Sequence, residues 1–297
     1  RRWSLLEVKG MSKAYGKHNA LCDCGFTVQK HEILGVCGEN GSGKTTLFRC
    51  LMGLITKDEG EIRVGGKKID EGVRSSFGYL PEQRSLYTDL SIEDTLVHYG
   101  RLRNMERDAI DRRIRDLYSS FDFTIELKTK VGSLSKGNQQ KVQFMACLIH
   151  DPEIVILDEP FTGLDYVNLE KTQSFLMELA KKGKCILLSS HQYDELDAIC
   201  NSLLILKEGK TMDYGNLDRM KNEVGKCTVK VNSQVPVLQH LKEDETVEIV
   251  GNSSIIQTQT PQRAKKLMNL LAKDEAIRDL AMERIKVKEL IRLRCTP

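Results

Sequence analysis

The sequence has no apolar run long enough to cross a bilayer. Its longest apolar stretches are Ile33–Cys37, Ile154–Leu157 and residues 203–206, whereas a transmembrane helix needs roughly 20 apolar residues. The chain also starts at Arg1 without a methionine or an apolar signal region, which is typical of a trimmed start and of a protein that is not exported. We therefore expect an intracellular protein that does not itself span the membrane.

The sequence also lacks an excess of charge of one sign. Its 45 Lys and Arg side chains nearly balance 42 Asp and Glu side chains, which gives a formal net charge of +3. No protein-wide basic field that would attract nucleic acid is therefore expected. The nine cysteines are scattered, and the close pair Cys22 and Cys24 has no second pair that could complete a metal site. We expect reduced cysteines that pack as small apolar side chains.

The hydrophobic pattern predicts an α/β protein with a second, smaller domain. Short apolar runs alternate with helical patterns from about residue 5 to residue 215, as expected for a mostly parallel sheet covered by helices. Residues 86–147 show apolar side chains at helical spacing instead, which predicts a helical subdomain. After residue 225 an alternating pattern returns. We predict a main domain over residues 1–220 and an α+β domain over residues 226–297, in which residues 276–294 fit either a strand followed by a helix or one helix.

A glycine-rich loop follows the first apolar strand. The order is strand, then Gly38-x-x-x-x-Gly43-Lys44-Thr45, then an amphipathic helix, which is the context that a P-loop requires. The glycines let successive backbone N–H groups face one phosphate, while the lysine supplies a charge to the β- and γ-phosphates and Thr45 offers an oxygen to Mg²⁺. The predicted nucleotide contacts of the loop are Gly38, Glu39, Asn40, Gly41, Ser42, Gly43, Lys44, Thr45 and Thr46.

The P-loop by itself leaves GTPases, kinases and motor ATPases open. The sequence has no Asn-Lys-x-Asp string that would read guanine, which favours ATP. The apolar strand Ile154–Leu157 ends in Asp158 and Glu159, and such a strand presents its terminal carboxylates at the edge of the sheet where nucleotides bind. We predict that Asp158 holds Mg²⁺, through water, and that Glu159 is the general base for the attacking water.

A third motif lies between these two. The string LSKGNQQK at residues 134–141 resembles the LSGGQ signature of ATP-binding cassette (ABC) ATPases, and its spacing to the P-loop and to the acidic strand is specific to that family. The resemblance covers roughly residues 4–215. It implies a P-loop NTPase of the ABC ATPase fold with a helical subdomain, and the appended small α+β domain resembles that of bacterial sodium- and drug-export ATPases.

The resemblance assigns further residues. Tyr15 is similar to the aromatic side chain that stacks on adenine, Asp165 lies in a string that resembles the D-loop, and His191 matches the switch histidine that contacts the γ-phosphate. In the signature, Ser135 and the backbone around Gly137 are donors to a γ-phosphate. Since this helix start faces away from its own P-loop in the family, the resemblance implies a head-to-tail dimer that encloses two ATP molecules.

Two strings depart from the family pattern. Lys136 and Asn138 stand where the signature usually has Gly and Gln, which keeps the Ser-x-Gly donors but changes the charge near the phosphate. In the Q-loop string GYLPEQRSLY, Glu82 occupies the usual glutamine position and Gln83 follows one residue later. We take Gln83 as the candidate for contact with Mg²⁺ and water, with Glu82 as the open alternative.

The resemblance implies the ATP-hydrolysing subunit of an ABC transporter, an exporter by its subgroup. Its expected cofactors are ATP and Mg²⁺, and its expected partners are a separate transmembrane permease and a second ATPase subunit, in a homo- or heterodimer, with no nucleic acid. Its expected location is cytoplasmic, peripheral on the inner face of the cell membrane. The alternative is a soluble ABC ATPase that acts on ribosomes or DNA, although such members usually carry two cassettes or a long coiled coil. A non-hydrolysing scaffold is disfavoured because Lys44, Asp158, Glu159 and His191 are all present.

Overall fold

The computed structural model describes residues 5–83, 86–233, 241, 245–251, 253–273 and 277–295. The chain forms two compact units, Arg1–Tyr214 and Gly215–Pro297, and each has its own sheet and hydrophobic core. The division falls slightly before residue 220, the predicted end of the main domain. Among the described residues, no helix combines the length and the apolar character that a bilayer span requires.

The larger unit is built on one sheet. Its strands are β1 (Leu6–Tyr15), β2 (His18–Val28), β3 (Ile33–Cys37), β4 (Glu59–Val64), β5 (Lys67–Lys68), β6 (Phe77–Leu80), β7 (Ile154–Leu157), β8 (Cys185–Ser189), β9 (Ser202–Lys207) and β10 (Lys210–Asn216). Their order in the sheet is β5-β4-β1-β2-β10-β9-β3-β8-β7-β6. The pairs of β1 with β2 and with β4 are antiparallel, whereas β9, β3, β8, β7 and β6 are parallel.

The parallel strands bring the site residues to one edge. Every residue of β3, β7 and β8 is buried, which explains why their sequences are apolar runs without alternation. Since neighbouring parallel strands end at the same edge of a sheet, the segments after Cys37, Leu157 and Ser189 lie side by side. This edge therefore collects the P-loop, the two acidic residues and the histidine.

Helices flank this sheet. They are α1 (Lys44–Met52), α2 (Glu71–Arg74), α3 (Ile92–Arg101), α4 (Arg107–Ser120), α5 (Lys136–Leu148), α6 (Tyr166–Lys181) and α7 (Tyr193–Ile199), with a short 3₁₀ helix at Val131–Ser133. Helix α1 buries Leu47, Phe48 and Leu51 completely in the core beside the sheet, and each such side chain contributes about 2 kcal/mol through burial.

Helices α3, α4 and α5 lie within the range predicted as a helical subdomain. Ser91 begins α3 by accepting a hydrogen bond of 3.0 Å from the backbone N–H of Asp94, as serine commonly does at a helix start. Gly100 permits the close contact of α3 with α4, because a Cβ atom there would lie 2.6 Å from the Ile110 side chain. Larger residues at position 100 would separate the two helices.

The smaller unit is an α+β structure. It contains α8 (Leu217–Val224), β11 (Cys227–Ser233), β12 (Thr246–Val250), β13 (Ser253–Thr258), α9 (Pro261–Leu271), β14 (Ile277–Arg284) and α10 (Val287–Cys295). The strands form an antiparallel sheet in the order β12-β13-β11-β14. For the end of the chain, the structure shows the strand-then-helix alternative rather than one helix.

The core of the smaller unit lies between its sheet and α9. Val229, Val231 and Ile256 pack against Ala264 and Leu267, so the alternating pattern of the strands directs one face to this core.

Candidate functional site

The P-loop backbone is shaped by two crowded glycines. Gly38 has φ 153° and Gly43 has φ 108°. A Cβ atom would lie 2.2 Å from the Leu206 carbonyl oxygen at the first position and 2.4 Å from the Ala20 carbonyl oxygen at the second. Only glycine therefore lets the loop pass between these strands. The loop leads into α1, which starts after Gly43 without a side-chain cap, so its first-turn N–H groups stay available to an anion.

Lys44 folds over this loop. Its Nζ atom donates to the carbonyl oxygens of Gly38 at 2.8 Å and Glu39 at 3.1 Å, and its side chain is buried. The Oγ atom of Ser42 is also buried and has no hydrogen-bond partner in the described part of the chain. The loop thus holds a cation and an unused polar atom beside the backbone N–H groups, which is the chemistry that a phosphate requires.

The acidic pair follows β7 directly. Asp158 is buried, and its Oδ2 atom has no hydrogen-bond partner among the described residues. Glu159 has φ 52°, a left-handed conformation that is uncommon outside glycine. Its Oε2 atom lies 2.8 Å from Nδ1 of His191, which follows β8. The predicted switch histidine and the predicted base are therefore in direct contact.

A buried serine joins the acidic pair to β8. The Ser189 hydroxyl donates to Oδ1 of Asp158 at 2.7 Å and accepts from the backbone N–H of Glu159 at 2.9 Å. The next residue, Ser190, donates to the Glu195 carboxylate at 2.5 Å and accepts from the backbone N–H of Gln192 at 2.9 Å. Ser189 thus connects the acidic pair to the end of β8, and Ser190 connects the segment around His191 to Glu195.

Glu195 lies in α7 close to the acidic pair. Burial raises the pKa of the Glu195 carboxyl, the Ser190 hydrogen bond opposes this effect, and the Glu159 carboxylate adds to it. The Ser190 hydroxyl donates to this carboxyl and accepts from the backbone N–H of Gln192, the residue that follows His191. Glu195 therefore supports the segment that carries the histidine.

These elements surround a cavity of about 500 Å³. The structure brings many of the predicted residues together on its wall, namely Tyr15, Asn40, Gly41, Gly43, Lys44, Thr45, Thr46, Asp158, Glu159 and His191. Tyr15 lies at the end of the β1–β2 hairpin with 48% of its surface exposed, and the ammonium group of Lys13 lies 5.7 Å from its ring centroid. An exposed ring at the mouth of a phosphate site suits stacking on a base.

The Q-loop residues lie differently from each other. Both side chains are exposed, but Glu82 lines the cavity and Gln83 is not among the lining residues. Of the two, only the carboxylate that the sequence left as the alternative is thus placed on the wall of the cavity that also contains Lys44 and Asp158.

The signature and D-loop residues lie outside this cavity. Ser135 begins α5 by accepting a hydrogen bond of 3.3 Å from the backbone N–H of Asn138. Asp165 begins α6 in the same way, at 2.9 Å from the backbone N–H of Asn168, and this contact lowers the pKa of its exposed carboxyl. The space beside Gly137 is open, since a Cβ atom there would meet only Asn168 Nδ2, at 3.6 Å. Within one chain, Ser135, Gly137 and Asp165 do not line the same cavity as Lys44.

Several site residues were missed by the sequence reasoning. His18 and Ala20 also line the cavity; they follow Tyr15 across a tight turn, so the pairing of β1 with β2 returns them to the same place. Ser189 and Glu195 flank His191 in sequence. The serine was not predicted because it ends an apolar strand, and the glutamate was not predicted because it lies in a helical pattern. The hairpin offered a usable signal. The contacts of Ser189 depend on the pairing of β7 with β8, and those of Glu195 depend on where α7 lies.

The residues present fit a nucleotide with a divalent cation. Thr45 and the unpartnered Oδ2 atom of Asp158 are hard oxygen atoms of the kind that Mg²⁺ prefers. The lysine, the first turn of α1 and the glycine loop offer the groups that bind a polyphosphate.

Comparison with known proteins identifies a family. The ABC transporter family profile matches residues 21–162. The ABC transporter ATP-binding protein YhaQ of Bacillus subtilis (strain 168) is 37% identical over 229 residues, which cover 77% of this chain and 77% of the relative. The ABC transporter ATP-binding protein NatA of the same organism is 36% identical over 205 residues, covering 68% and 83%.

A solved structure shares the fold. The structure of an ATP-binding subunit of an ABC transporter superposes with a TM-score of 0.68 at 32% identity, covering 74% of this chain and 93% of that chain. The predicted ABC ATPase fold is thereby confirmed. Given these relatives and the site described above, the chain belongs to the family of ABC transporter ATP-binding subunits.

Proposed function

We propose that this chain binds ATP with Mg²⁺ in the cavity, hydrolyses it, and powers a separate transmembrane permease. The observation that carries the proposal is the contact of Glu159 with His191 at 2.8 Å, on the wall of the cavity that also contains Lys44. A carboxylate oriented by a histidine beside a phosphate-binding lysine is suited to deprotonate an attacking water. A site that only bound nucleotide would not need this pair.

Each residue has a defined part in the proposed reaction. Lys44 and the first turn of α1 bind the β- and γ-phosphates. Thr45 and Asp158 would hold Mg²⁺, which neutralises phosphate charge when bound. Glu159 accepts the proton of the attacking water. His191 keeps that carboxylate oriented through Nδ1, and in its protonated form its second N–H can donate to the γ-phosphate.

The proposed active assembly is a dimer. Ser135, Gly137 and Asp165 lie outside the cavity of their own chain, so they can contact nucleotide only from another subunit. The uncapped start of α1 and the helix start at Ser135 would then bind the triphosphate from opposite sides. A second copy of the chain or a related ATPase subunit supplies the second half.

The proposed membrane partner is a separate permease, and the support for it is the similarity to ABC transporter ATP-binding proteins. We propose that helices α3 and α4 and the Q-loop around Glu82 pass the movement to this permease, and that the protein works on the inner face of the cell membrane. Export is proposed because the Q-loop string and the appended domain resemble those of export ATPases.

The hydrolysis proposal is tested by Glu159→Gln. Removal of a general base typically lowers turnover about 10²–10⁴-fold, while ATP binding through Lys44 should persist. Turnover is measured by phosphate release and the oligomeric state by light scattering with ATP, and a dimer should accumulate. Glu178→Gln is the matched control, because Glu178 is exposed and pairs only with Lys181 in the described contacts. Undiminished turnover in Glu159→Gln would remove the residue from its role.

The transporter proposal is tested by affinity purification of the intact protein from solubilised membranes. Co-purification of a multi-span membrane protein, identified by mass spectrometry, is expected. Recovery of ribosomes or DNA without such a protein would instead support a soluble ABC ATPase.

A further inference from the structure

We propose that Ser189 is a positioning residue of the ATPase site, which holds the Asp158 carboxylate and the Glu159 backbone with one hydroxyl. The inference rests on the proposed hydrolysis and extends it to a residue outside the P-loop, the acidic pair and the histidine. Ser189 is completely buried, so its hydroxyl is not in contact with solvent. Its role must be exerted through the groups it contacts.

The two hydrogen bonds of Ser189 fix its chemistry. The backbone N–H of Glu159 can only donate, so the serine oxygen accepts at 2.9 Å. A carboxylate can only accept, so the same hydroxyl donates its proton to Oδ1 of Asp158 at 2.7 Å. Among side chains of this size, only a hydroxyl donates and accepts strongly at once. Replacement by an apolar residue would leave two buried polar groups unsatisfied.

The hydrogen bond to Asp158 determines which carboxylate oxygen is free. Oδ1 is engaged by the serine, while Oδ2 has no partner in the described part of the chain. A carboxylate held at one oxygen keeps a fixed orientation, and groups that orient metal ligands in this way affect metal affinity. Ser189 thus fixes the orientation in which Oδ2 of Asp158 can bind Mg²⁺ or a water molecule of the ion.

The hydrogen bond to Glu159 supports a strained backbone. Glu159 has φ 52°, and a residue other than glycine persists in this region only when surrounding contacts hold it there. The left-handed turn brings its side chain against His191. Without the serine hydroxyl, the Glu159 backbone could leave its left-handed conformation. The Glu159 carboxylate would then no longer be held against His191.

The register of the sheet explains why the serine is at this place. Strands β7 and β8 pair in parallel with Leu157 opposite Leu188, so the next residues along each strand, Asp158 and Ser189, are neighbours. The serine therefore links the end of β7 to the end of β8 at the point where the base and the histidine leave the sheet.

The test compares Ser189→Thr with Ser189→Val. The two side chains have nearly the same shape, but only threonine keeps the hydroxyl. Ser189→Ala, which adds no atoms, is the third variant, and thermal unfolding checks that each variant is folded. For valine and alanine we expect kcat to fall about 10- to 100-fold, as for other residues that orient metal ligands, with KM for ATP nearly unchanged. Threonine should retain most of the turnover.

A second readout is independent of turnover. Binding of a fluorescent ATP analogue is titrated against Mg²⁺ and, separately, in EDTA. Valine and alanine should raise the half-saturating Mg²⁺ concentration about tenfold, while binding in EDTA stays at the wild-type level because the P-loop is intact.

Two results would overturn the role of Ser189. Equal losses in the threonine and valine variants would mean that only the shape of the side chain matters. Wild-type kcat and Mg²⁺ dependence in the alanine variant would mean that the hydroxyl does nothing, and the alanine variant decides alone if the two larger residues prevent folding. If the wild type itself releases no phosphate, the proposed hydrolysis is wrong. The half-saturating Mg²⁺ concentration of the variants still tests the role of Ser189 in that event.

Discussion

Nδ1 of His191 lies 2.8 Å from Oε2 of Glu159. The glutamate side chain is 10% exposed and the histidine side chain 53% exposed, so the carboxylate is the more buried partner of this contact on the cavity wall. The two residues are 32 positions apart and are joined only because β7 and β8 are adjacent parallel strands. This contact links the end of one central strand to the end of the next.

Lys44→Ala should weaken nucleotide binding itself. A hydrogen bond from a charged group contributes about 1.5–3 kcal/mol, so we expect an affinity loss of about 10- to 100-fold. The measurement is an equilibrium titration with a fluorescent ATP analogue. Lys57→Ala is a matched control, because Lys57 also donates to a nearby backbone carbonyl, that of Gly60, but does not line the cavity. Equal ATP affinity of Lys44→Ala and wild type would refute the P-loop assignment.

Glu82 and Gln83 can be separated by paired alanine variants. Glu82 lines the cavity and Gln83 does not, so we expect Glu82→Ala to lower kcat about tenfold or more, as for residues that orient a metal or its water. Gln83→Ala should leave kcat close to that of the wild type. The reverse order of effects, measured by phosphate release at saturating ATP, would show that Gln83 reaches the nucleotide after all.

His150 should make the protein sensitive to acid. Burial lowers its pKa from 6.5 to about 4, with Arg103 adding to the effect and the hydrogen bond to the Phe77 carbonyl opposing it. Because the folded pKa lies below the unfolded value, the unfolded state binds the proton first as the pH falls. The stability is therefore complete above about pH 6.5 and is lost towards pH 4, with about 2 kcal/mol lost at pH 5.

The test is urea unfolding of His150→Gln at several pH values. Glutamine can still donate to the Phe77 carbonyl, as Nε2 of His150 does at 3.1 Å, but it does not titrate. The wild type should lose about 2 kcal/mol more than this variant between pH 8 and pH 5. His98→Gln serves as the control because His98 is exposed. A pH dependence of His150→Gln equal to that of the wild type would contradict the prediction.

The local motifs could be predicted because their structure depends on neighbours in sequence. Gly38 to Thr45 could be read as a turn and a helix start, since the glycines allow the backbone path and the lysine follows directly. The apolar run before Asp158 likewise defined a buried strand with acids at its end. The end of the chain was left open between a strand with a helix and one helix, because its apolar residues fit neither period.

The sequence by itself determined the fold class, through the alternation of apolar runs and helical patterns along residues 5–215, and the phosphate loop and acidic candidates, because each is encoded in a few consecutive residues. The histidine candidate came from the resemblance to a family. Only the tertiary structure decided that Ser189 bridges Asp158 and Glu159, and that Glu82 rather than Gln83 lines the cavity. These relationships depend on strand order and register, which bring together residues that the chain separates, and no short stretch of sequence carries that information.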